Sequence, residues 1–253
     1  MSGHSKWSTI KRKKGAADAK RGQLFTRIAR DLTIAAREGG GDPDANFALR
    51  LAVDKARTAN MPKDNIERAI QRGLGSGGEG GQLEDISYEV YGPGGAALIV
   101  QVLTDNRNRA ASEVRRVLTR AGANLASAGA VAWMFEKRGI FTIPVQGKSA
   151  EEMELELIDV GVDDLSVEGE HIEAYVAPEH LRPVRDEMQK RHIPIENAEL
   201  SLIAKSNAEV SAADAVKTLQ LVEQLEELDD VQKVITNLNI TDEVMAEFEK
   251  AAA

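Results

Sequence analysis

The 253-residue sequence predicts an α+β fold: an N-terminal three-helix domain followed by two α+β sandwich-like (ferredoxin-like) domains, one inserted into the other. Three observations lead to this prediction. Apolar residues repeat at helical spacing through residues 17–72, a glycine-rich run follows at 73–81, and short β-branched runs then alternate with helical patterns. A chain of this length suits two or three domains.

The first helix is predicted over residues 17–38. Leu24, Phe25, Ile28 and Leu32 fall within one arc at about 100° per residue, and most of the cationic residues fall within a separate arc. The pattern therefore indicates an amphipathic helix with an apolar face and a basic face.

Proline signals predict the next two helices. Asp42 is a good N-cap with Pro43 at the first helical position, where a missing N–H is harmless, so we expect a helix over residues 42–60. Pro62 opens a third helix, which Gly73 ends. Three helices joined by short loops form a small bundle.

Residues 73–81, GLGSGGEGG, have six glycines in nine positions and indicate a flexible linker. They also match the dinucleotide-binding pattern G-x-G-x-x-G. That pattern needs a strand before it and a helix after it, whereas here a helix precedes it. We therefore interpret the run as a domain boundary.

The remaining elements alternate between strands and helices. Pro93-Gly94-Gly95 lies between two β-branched runs and predicts a hairpin, and residues 109–122 read as a helix. A second hairpin is predicted over residues 130–145, with its turn near Gly139. Further elements are expected as a helix at 150–159, strands at 163–168 and 171–176, a helix at 179–191, a strand at 196–204, a helix at 211–228 and a strand at 231–238.

The order of these elements predicts nested domains. We expect a basic helical domain with a flexible arm and linker (1–80), an α+β domain made of two separated pieces (81–128 plus 197–241) and an inserted α+β domain (129–196). The acidic residues 242–253 are expected to form a frayed tail.

Charge is distributed unevenly along the chain, whose formal net charge is -9. Residues 1–80 hold 16 of the 32 Lys and Arg residues and 9 of the 41 Asp and Glu residues, a net charge of +7. The remaining residues therefore carry 16 basic and 32 acidic side chains, a net charge of -16. A basic region on an acidic protein favours a polyanionic partner.

The residues of common catalytic and metal sites are sparse. The chain has no cysteine, and its four histidines are not spaced as metal ligands, so we expect no metal and no cofactor. Residues 145–152, VQGKSAEE, resemble a phosphate-binding loop, but Thr142 stands where such a loop needs glycine, and Ser149 is expected to cap a helix. The abundant carboxylates read as solvated faces, and we predict that the protein is not an enzyme.

The N-terminal run GHSKWSTIKRKKG combines cations with an aromatic residue. Lysines neutralise phosphates, while Trp7 can stack on a base, so the run is typical of a nucleic-acid-binding arm. Two alternatives are a solubilising arm and a mitochondrial transit peptide, although the following helix reads as part of a core.

A second basic feature spans residues 104–122 and includes the start of the helix predicted there. Asp105 or Asn106 can cap this helix, Arg107 and Arg109 stand at its entry, and further arginines follow at 115 and 116. Arginine beside exposed backbone N–H groups makes a plausible phosphate contact. The alternative is a capped helix whose arginines pair with carboxylates.

Several long stretches resemble the YebC family, whose eukaryotic relatives include the mitochondrial translational activator of cytochrome c oxidase. They are GHSKWSTIKRKKGAADAKRGQLFTRIARDLTIAAREGGGDP, ANMPKDNIERAIQRG, YEVYGPGGAALIVQVLTDNRNRAASEVR, AVAWMFEKRGIF and VQKVITNLNI. The resemblance implies the nested three-domain architecture and a cytoplasmic, non-enzymatic factor. Bacterial members are usually described as DNA-binding transcriptional regulators. A ribosome-associated role that eases elongation is also implied, and the organellar relatives act in translation.

We therefore predict a cytoplasmic, nucleic-acid-binding regulator of gene expression, with DNA and RNA or the ribosome both open as targets, and no membrane or small-molecule partner. No helix-turn-helix is evident, and the basic residues with an aromatic favour RNA. The alternatives are an enzyme acting on a phosphorylated substrate through residues 145–149 and a protein-interaction scaffold using the acidic domains. The predicted nucleic-acid-binding residues are His4, Lys6, Trp7, Lys11, Arg12, Lys13, Lys14, Lys20, Arg27, Arg30, Arg37, Lys63, Arg107 and Arg109.

Overall fold

The computed structural model describes residues 18–75, 83–145, 147 and 149–252. Its helices are α1 (Asp18–Gly39), α2 (Phe47–Thr58), α3 (Lys63–Gly73), α4 (Arg107–Ala121), α5 (Ala150–Asp159), α6 (Leu181–Lys190), α7 (Ala212–Glu226) and α8 (Asp242–Ala252). Its strands are β1 (Glu84–Tyr91), β2 (Ala97–Thr104), β3 (Asn124–Leu125), β4 (Phe135–Pro144), β5 (Asp164–Glu168), β6 (His171–Val176), β7 (Asn197–Ala204) and β8 (Val231–Thr236).

The strands form two four-stranded sheets. Sheet A has the order β3-β1-β2-β8, and sheet B has the order β5-β6-β4-β7. The described residues fall into two compact units, the sheet A unit (83–136 and 203–252) and the sheet B unit (18–75, 137–145, 147 and 149–202). All strands of sheet B lie between β3 and β8 in the sequence, so the predicted α+β fold, with helices first and one sheet inserted within the other, is confirmed.

Helices α1, α2 and α3 pack around a shared apolar core that includes Ile28, Leu32, Leu49 and Ile66. The amphipathic pattern of α1 therefore predicts the burial of Ile28 and Leu32 correctly, whereas Leu24 of the same predicted arc is exposed.

The predicted start of the second helix is wrong. Asn46, rather than Asp42, is the N-cap of α2, and its side chain accepts a hydrogen bond from the Leu49 N–H. The Asn46 amide also donates to the carbonyls of Ala35 and Gly40. Asn46 satisfies groups at the ends of two helices at once, which a local sequence signal does not reveal.

Sheet A begins with the predicted hairpin. β1 and β2 pair in antiparallel register from Glu84↔Thr104 to Tyr91↔Ala97, and Gly94 in the connection has a φ of 68°, which favours glycine. One face of the sheet packs against α4 and α7 in a core that includes Val100 and Leu219.

The C-terminal segment is part of this core. Residues 242–252 form α8, whose Phe248 is fully buried, so the predicted frayed tail at 242–253 is wrong. Apolar residues at helical spacing outweigh the acidic character of the segment, because the side chains at 244, 245 and 248 share one buried face.

The predicted hairpin at residues 130–145 is also wrong. β4 runs unbroken from Phe135 to Pro144 and passes straight through Gly139, which pairs with Val176 of β6. A Cβ at position 139 would lie 2.7 Å from the Val176 side chain and 2.9 Å from that of Leu181. Glycine is therefore needed here for close packing and not for a turn.

Strand β7 lies beside β4 in sheet B, whereas the sequence analysis grouped residues 197–204 with the outer α+β domain. The outer sheet is instead completed by β8, which pairs antiparallel with β2. Sequence pattern identifies a strand but not its partner, since the pairing is set by contacts distant in the chain.

None of the helices in the described part of the chain is long and apolar enough to cross a membrane.

Candidate nucleic-acid interface

The predicted N-terminal arm lies outside the residues that the structure describes. This applies to His4, Lys6, Trp7, Lys11, Arg12, Lys13 and Lys14. Lys20 is part of α1. The role of the arm residues and of Lys20 in nucleic-acid binding stays a prediction.

The other predicted residues of the helical region lie on α1 and α3. Arg27 and Arg30 are half-buried, whereas Arg37 and Lys63 are exposed. The Lys63 ammonium lies 3.4 Å from the Glu67 carboxylate, one helical turn further along α3. An exposed pair of this kind contributes little to stability.

Other cations of the helical region are engaged by carboxylates. The Lys55 ammonium lies 3.0 Å from the Asp31 carboxylate, which raises the pKa of Lys55 against the opposing effect of burial. Arg57 and Arg50 pair with Asp54 and Asp44 over longer distances. In the described part of the bundle, acidic and basic side chains are therefore interleaved rather than segregated.

Arg109, at the start of α4, is held in the sheet A unit by two carboxylates. Asn106 is the N-cap of α4 and accepts from the Arg109 backbone N–H at 3.1 Å. The Arg109 guanidinium donates to Asp230 at 2.8 Å and to Asp105 at 2.9 Å, and both bonds raise the pKa of Arg109. Arg109 therefore has a structural role. Of the two interpretations offered by the sequence, pairing with carboxylates rather than contact with phosphate applies to this arginine.

The remaining arginines of α4 are different. They are exposed, and none forms an ion pair with a carboxylate among the described residues: Arg107, Arg115, Arg116 and Arg120. Arg116 and Arg120 are four residues apart, so their side chains share one face of the helix. These two form an unpaired cationic patch in the acidic part of the sequence.

Arg116 and Arg120 line one wall of a groove between α4 and α7, which we call the α4–α7 groove, with a volume of about 720 Å³. The full lining consists of Arg116, Val117, Arg120, Ala121, Lys217, Gln220, Leu221, Gln224, Glu227 and Leu228. Three lining side chains are cationic and one is acidic, and one of the cations, Lys217, also pairs with Asp214 at 3.2 Å. The groove therefore combines positive charge, amide donors and an apolar floor, which suits a phosphate-bearing chain better than a small apolar ligand.

None of the predicted nucleic-acid-binding residues lines this groove. The sequence pattern points to the arginines at 115 and 116 as basic residues of the helix, but not to Arg120 or Lys217. The i, i+4 spacing of Arg116 and Arg120 was a usable signal. Lys217 was not detectable, because its proximity to α4 depends on how two helices distant in sequence pack on one sheet.

The phosphate-loop resemblance at 145–152 has an ordinary explanation in the described residues. The Ser149 hydroxyl accepts from the Glu152 N–H at 3.2 Å, and the Glu152 carboxylate accepts from the Ser149 N–H at 2.9 Å. This reciprocal capping box starts α5 as predicted. No group of acidic or histidine side chains in the described part of the chain has the arrangement of a metal site.

Comparison with known proteins covers nearly the whole chain. Residues 5–76 match the TACO1/YebC N-terminal domain, and residues 83–238 match the TACO1/YebC second and third domains. Proteins from Roseiflexus castenholzii and Rubrobacter xylanophilus, each named a probable transcriptional regulatory protein, are 52% and 50% identical over 98% of this chain and 99% of their own length. A conserved hypothetical protein from Aquifex aeolicus, Aq1575, has a crystal structure that matches with a TM-score of 0.83 and 42% identity over 89% of this chain and 93% of its own. The chain therefore belongs to the TACO1/YebC family.

Proposed function

We propose that the protein is a non-enzymatic, cytoplasmic regulator of gene expression that binds the phosphate backbone of a nucleic acid. The observation that carries the proposal is the cationic patch of Arg116 and Arg120, exposed on α4 and without a described carboxylate partner. Guanidinium groups form bidentate hydrogen bonds with phosphates, so two of them on one helix face suit a backbone contact.

The charge distribution supports the same function. Residues 81–253 carry a net charge of -16, yet the α4–α7 groove presents two unpaired arginines, Lys217, which pairs with Asp214, and one carboxylate. Locally exposed positive charge on an acidic body attracts a polyanion without coating it indiscriminately. The cations of the N-terminal run would add a second contact with the phosphate backbone.

Two versions of this function share the same chemistry. The names of the relatives favour control of transcription through DNA. The resemblance to translational activators, together with the aromatic residue in the basic arm, favours RNA or the ribosome.

Crosslinking in cells, followed by sequencing of the bound nucleic acid, tests the proposal and separates its versions. Enrichment of promoter DNA supports the transcriptional version, and enrichment of ribosomal RNA supports the translational one. The control is a double variant, Arg116→Ala with Arg120→Ala. If the wild-type protein recovers no more nucleic acid than this variant, the proposal is wrong.

Two further measurements test the other classes of function. Saturable ATP binding that Lys148→Ala abolishes would favour an enzyme that uses residues 145–149. A partner captured equally well after nuclease treatment and at high salt would favour a protein-interaction scaffold.

A further inference from the structure

Two large aromatic side chains are exposed among the described residues, and Trp133, with 63% of its surface accessible, is the more exposed of the two. It lies in the segment 126–134 of the sheet A unit, which follows β3 and precedes β4 in the sequence. Tryptophan is enriched at binding surfaces, because its large apolar ring carries a polar N–H.

A second ring lies next to it. The Trp133 indole N–H donates to the Ala130 carbonyl at 3.0 Å, and the Tyr91 hydroxyl donates to the same oxygen at 3.3 Å. Since both donors share one acceptor, they lie no more than 6.3 Å apart, the sum of these distances. Tyr91 is itself 40% exposed, so two accessible aromatic side chains have their polar atoms bound to one carbonyl.

The backbone that carries Trp133 is anchored by a single carboxylate. Glu89 accepts backbone N–H bonds from Val131 at 2.7 Å, from Ala132 at 2.8 Å and from Gly129. These bonds fix the segment before any ligand arrives, so little ordering entropy remains to be lost on binding. Small exposed residues on the segment, among them Gly129 and Ala132, leave the ring uncrowded.

A cation completes the cluster. The Lys205 ammonium donates to the Trp133 carbonyl at 3.0 Å, is exposed and forms no ion pair with a described carboxylate. Positive charge beside accessible rings is the combination that binds single-stranded nucleic acid, because a base can stack while its phosphate is neutralised.

We infer that Trp133, Tyr91 and Lys205 form a stacking site for an unpaired nucleobase and its phosphate. The inference rests on the proposed function and deepens it by specifying a single-stranded target. Two partly exposed rings present much less area than the roughly 800 Å² per partner of a stable protein interface, which favours one base over a protein surface. A duplex hides the faces of its bases, so the site selects unpaired strands.

Fluorescence tests this site directly, because the chain has only two tryptophans. In a Trp7→Phe variant, emission comes from Trp133 alone. Titration with short oligouridylate or oligothymidylate is expected to quench that emission saturably, whereas a duplex of equal length leaves it nearly unchanged. The ribose and deoxyribose probes show whether the site distinguishes RNA from DNA.

Affinity measurements on the full chain give the second arm of the test. Trp133→Ala is expected to weaken single-strand binding roughly 5- to 150-fold and to leave duplex binding unchanged. Trp133→Phe keeps a ring and should retain most of the affinity, which guards against a loss caused by misfolding. Leu155→Ala, which removes a 70% exposed apolar side chain on α5, serves as the matched control.

The outcomes separate this inference from the proposed function. If the wild-type protein binds single strands and Trp133→Ala binds them equally well, the stacking site is wrong and the proposed function stands. Quenching by a proline-rich peptide but not by either oligonucleotide would show that the rings bind protein instead. If the wild-type protein binds no nucleic acid, both proposals fail.

Discussion

Arg109 and Asp230 are joined by a hydrogen bond of 2.8 Å between Nη2 and Oδ2, although 121 residues separate them in the chain. The Asp230 side chain is only 5% exposed, and the Thr104 hydroxyl also donates to it at 2.8 Å. The arginine at the start of α4 thus neutralises a buried carboxylate next to β8 and fixes the helix on sheet A.

Replacing Arg109 with alanine should destabilise the protein. Asp230 would lose its charged donor and keep Thr104, so the free energy of unfolding should fall by about 1–3 kcal/mol. Urea denaturation measures the change, and Arg120→Ala, at an exposed position on the same helix, should stay within about 0.5 kcal/mol of wild type. Equal effects of the two substitutions would contradict a structural role specific to Arg109.

Arg185 should be a second structural arginine, in the sheet B unit. It is buried, pairs with Asp54 of α2 and lies 5.8 Å from the centroid of the Phe47 ring. Arg185→Ala should lower the free energy of unfolding by about 1–3 kcal/mol, because a buried charged hydrogen bond and a cation–π contact are both lost.

Arg182 provides the matched comparison for Arg185. Its guanidinium lies 5.9 Å from the same ring but is exposed on α6. Arg182→Ala should therefore cost less than Arg185→Ala in the same urea titration. A larger loss from Arg182→Ala would show that the ring contact, and not the pair with Asp54, stabilises α6 against α2.

Glu89 should make stability depend on pH in the acidic range. Desolvation raises the pKa of Glu89, but the backbone N–H groups of Val131, Gly129 and Ala132 together outweigh it, so the pKa lies below its ordinary value of 4.5. A depressed carboxyl pKa contributes stability above the unfolded-state pKa, and that contribution is lost as pH falls through the folded-state pKa. The stability advantage of wild type over Glu89→Gln should therefore be full at neutral pH and shrink in acid below about pH 4.5. An advantage that persists unchanged at pH 3 would contradict the assigned bonding.

The N-terminal lysines and arginine should contribute to binding regardless of sequence. Replacing Lys11, Arg12, Lys13 and Lys14 with alanine should weaken binding to every nucleic acid tested, because phosphate contacts carry no sequence information. The slope of log affinity against log salt concentration should fall by up to about 4 units if all four contact phosphates. An unchanged slope would exclude this run as a contact.

Local signals in the sequence predicted the elements that depend on local chemistry. Pro93-Gly94-Gly95 produces the expected hairpin between β1 and β2, and Ser149 caps α5 as expected. Both features are settled by residues within a few positions of one another, so neighbouring residue types suffice to identify them.

Features that depend on distant contacts were missed. Gly139 reads as a turn, but it is required by the side chains of Val176 and Leu181, which pack against β4. Arg109 reads as a phosphate contact, but its partner Asp230 is distant in sequence. The α4–α7 groove likewise needs Lys217 from a second helix. A single sequence shows which residues can make such contacts but not which ones meet.

The central claim is that Arg116 and Arg120 in the α4–α7 groove contact the phosphates of a nucleic acid. It is tested most directly by the salt dependence of nucleic-acid binding in the double variant Arg116→Ala with Arg120→Ala. The matched control is Lys190→Ala with Arg191→Ala, which removes the same charge from side chains paired with Glu187 and Asp159. The account predicts that the first variant lowers the slope of log affinity against log salt by up to about 1.8 units on duplex or 1.4 on single strands, while the control leaves it unchanged. Equal slopes for wild type and both variants would show that the α4–α7 groove does not contact phosphates.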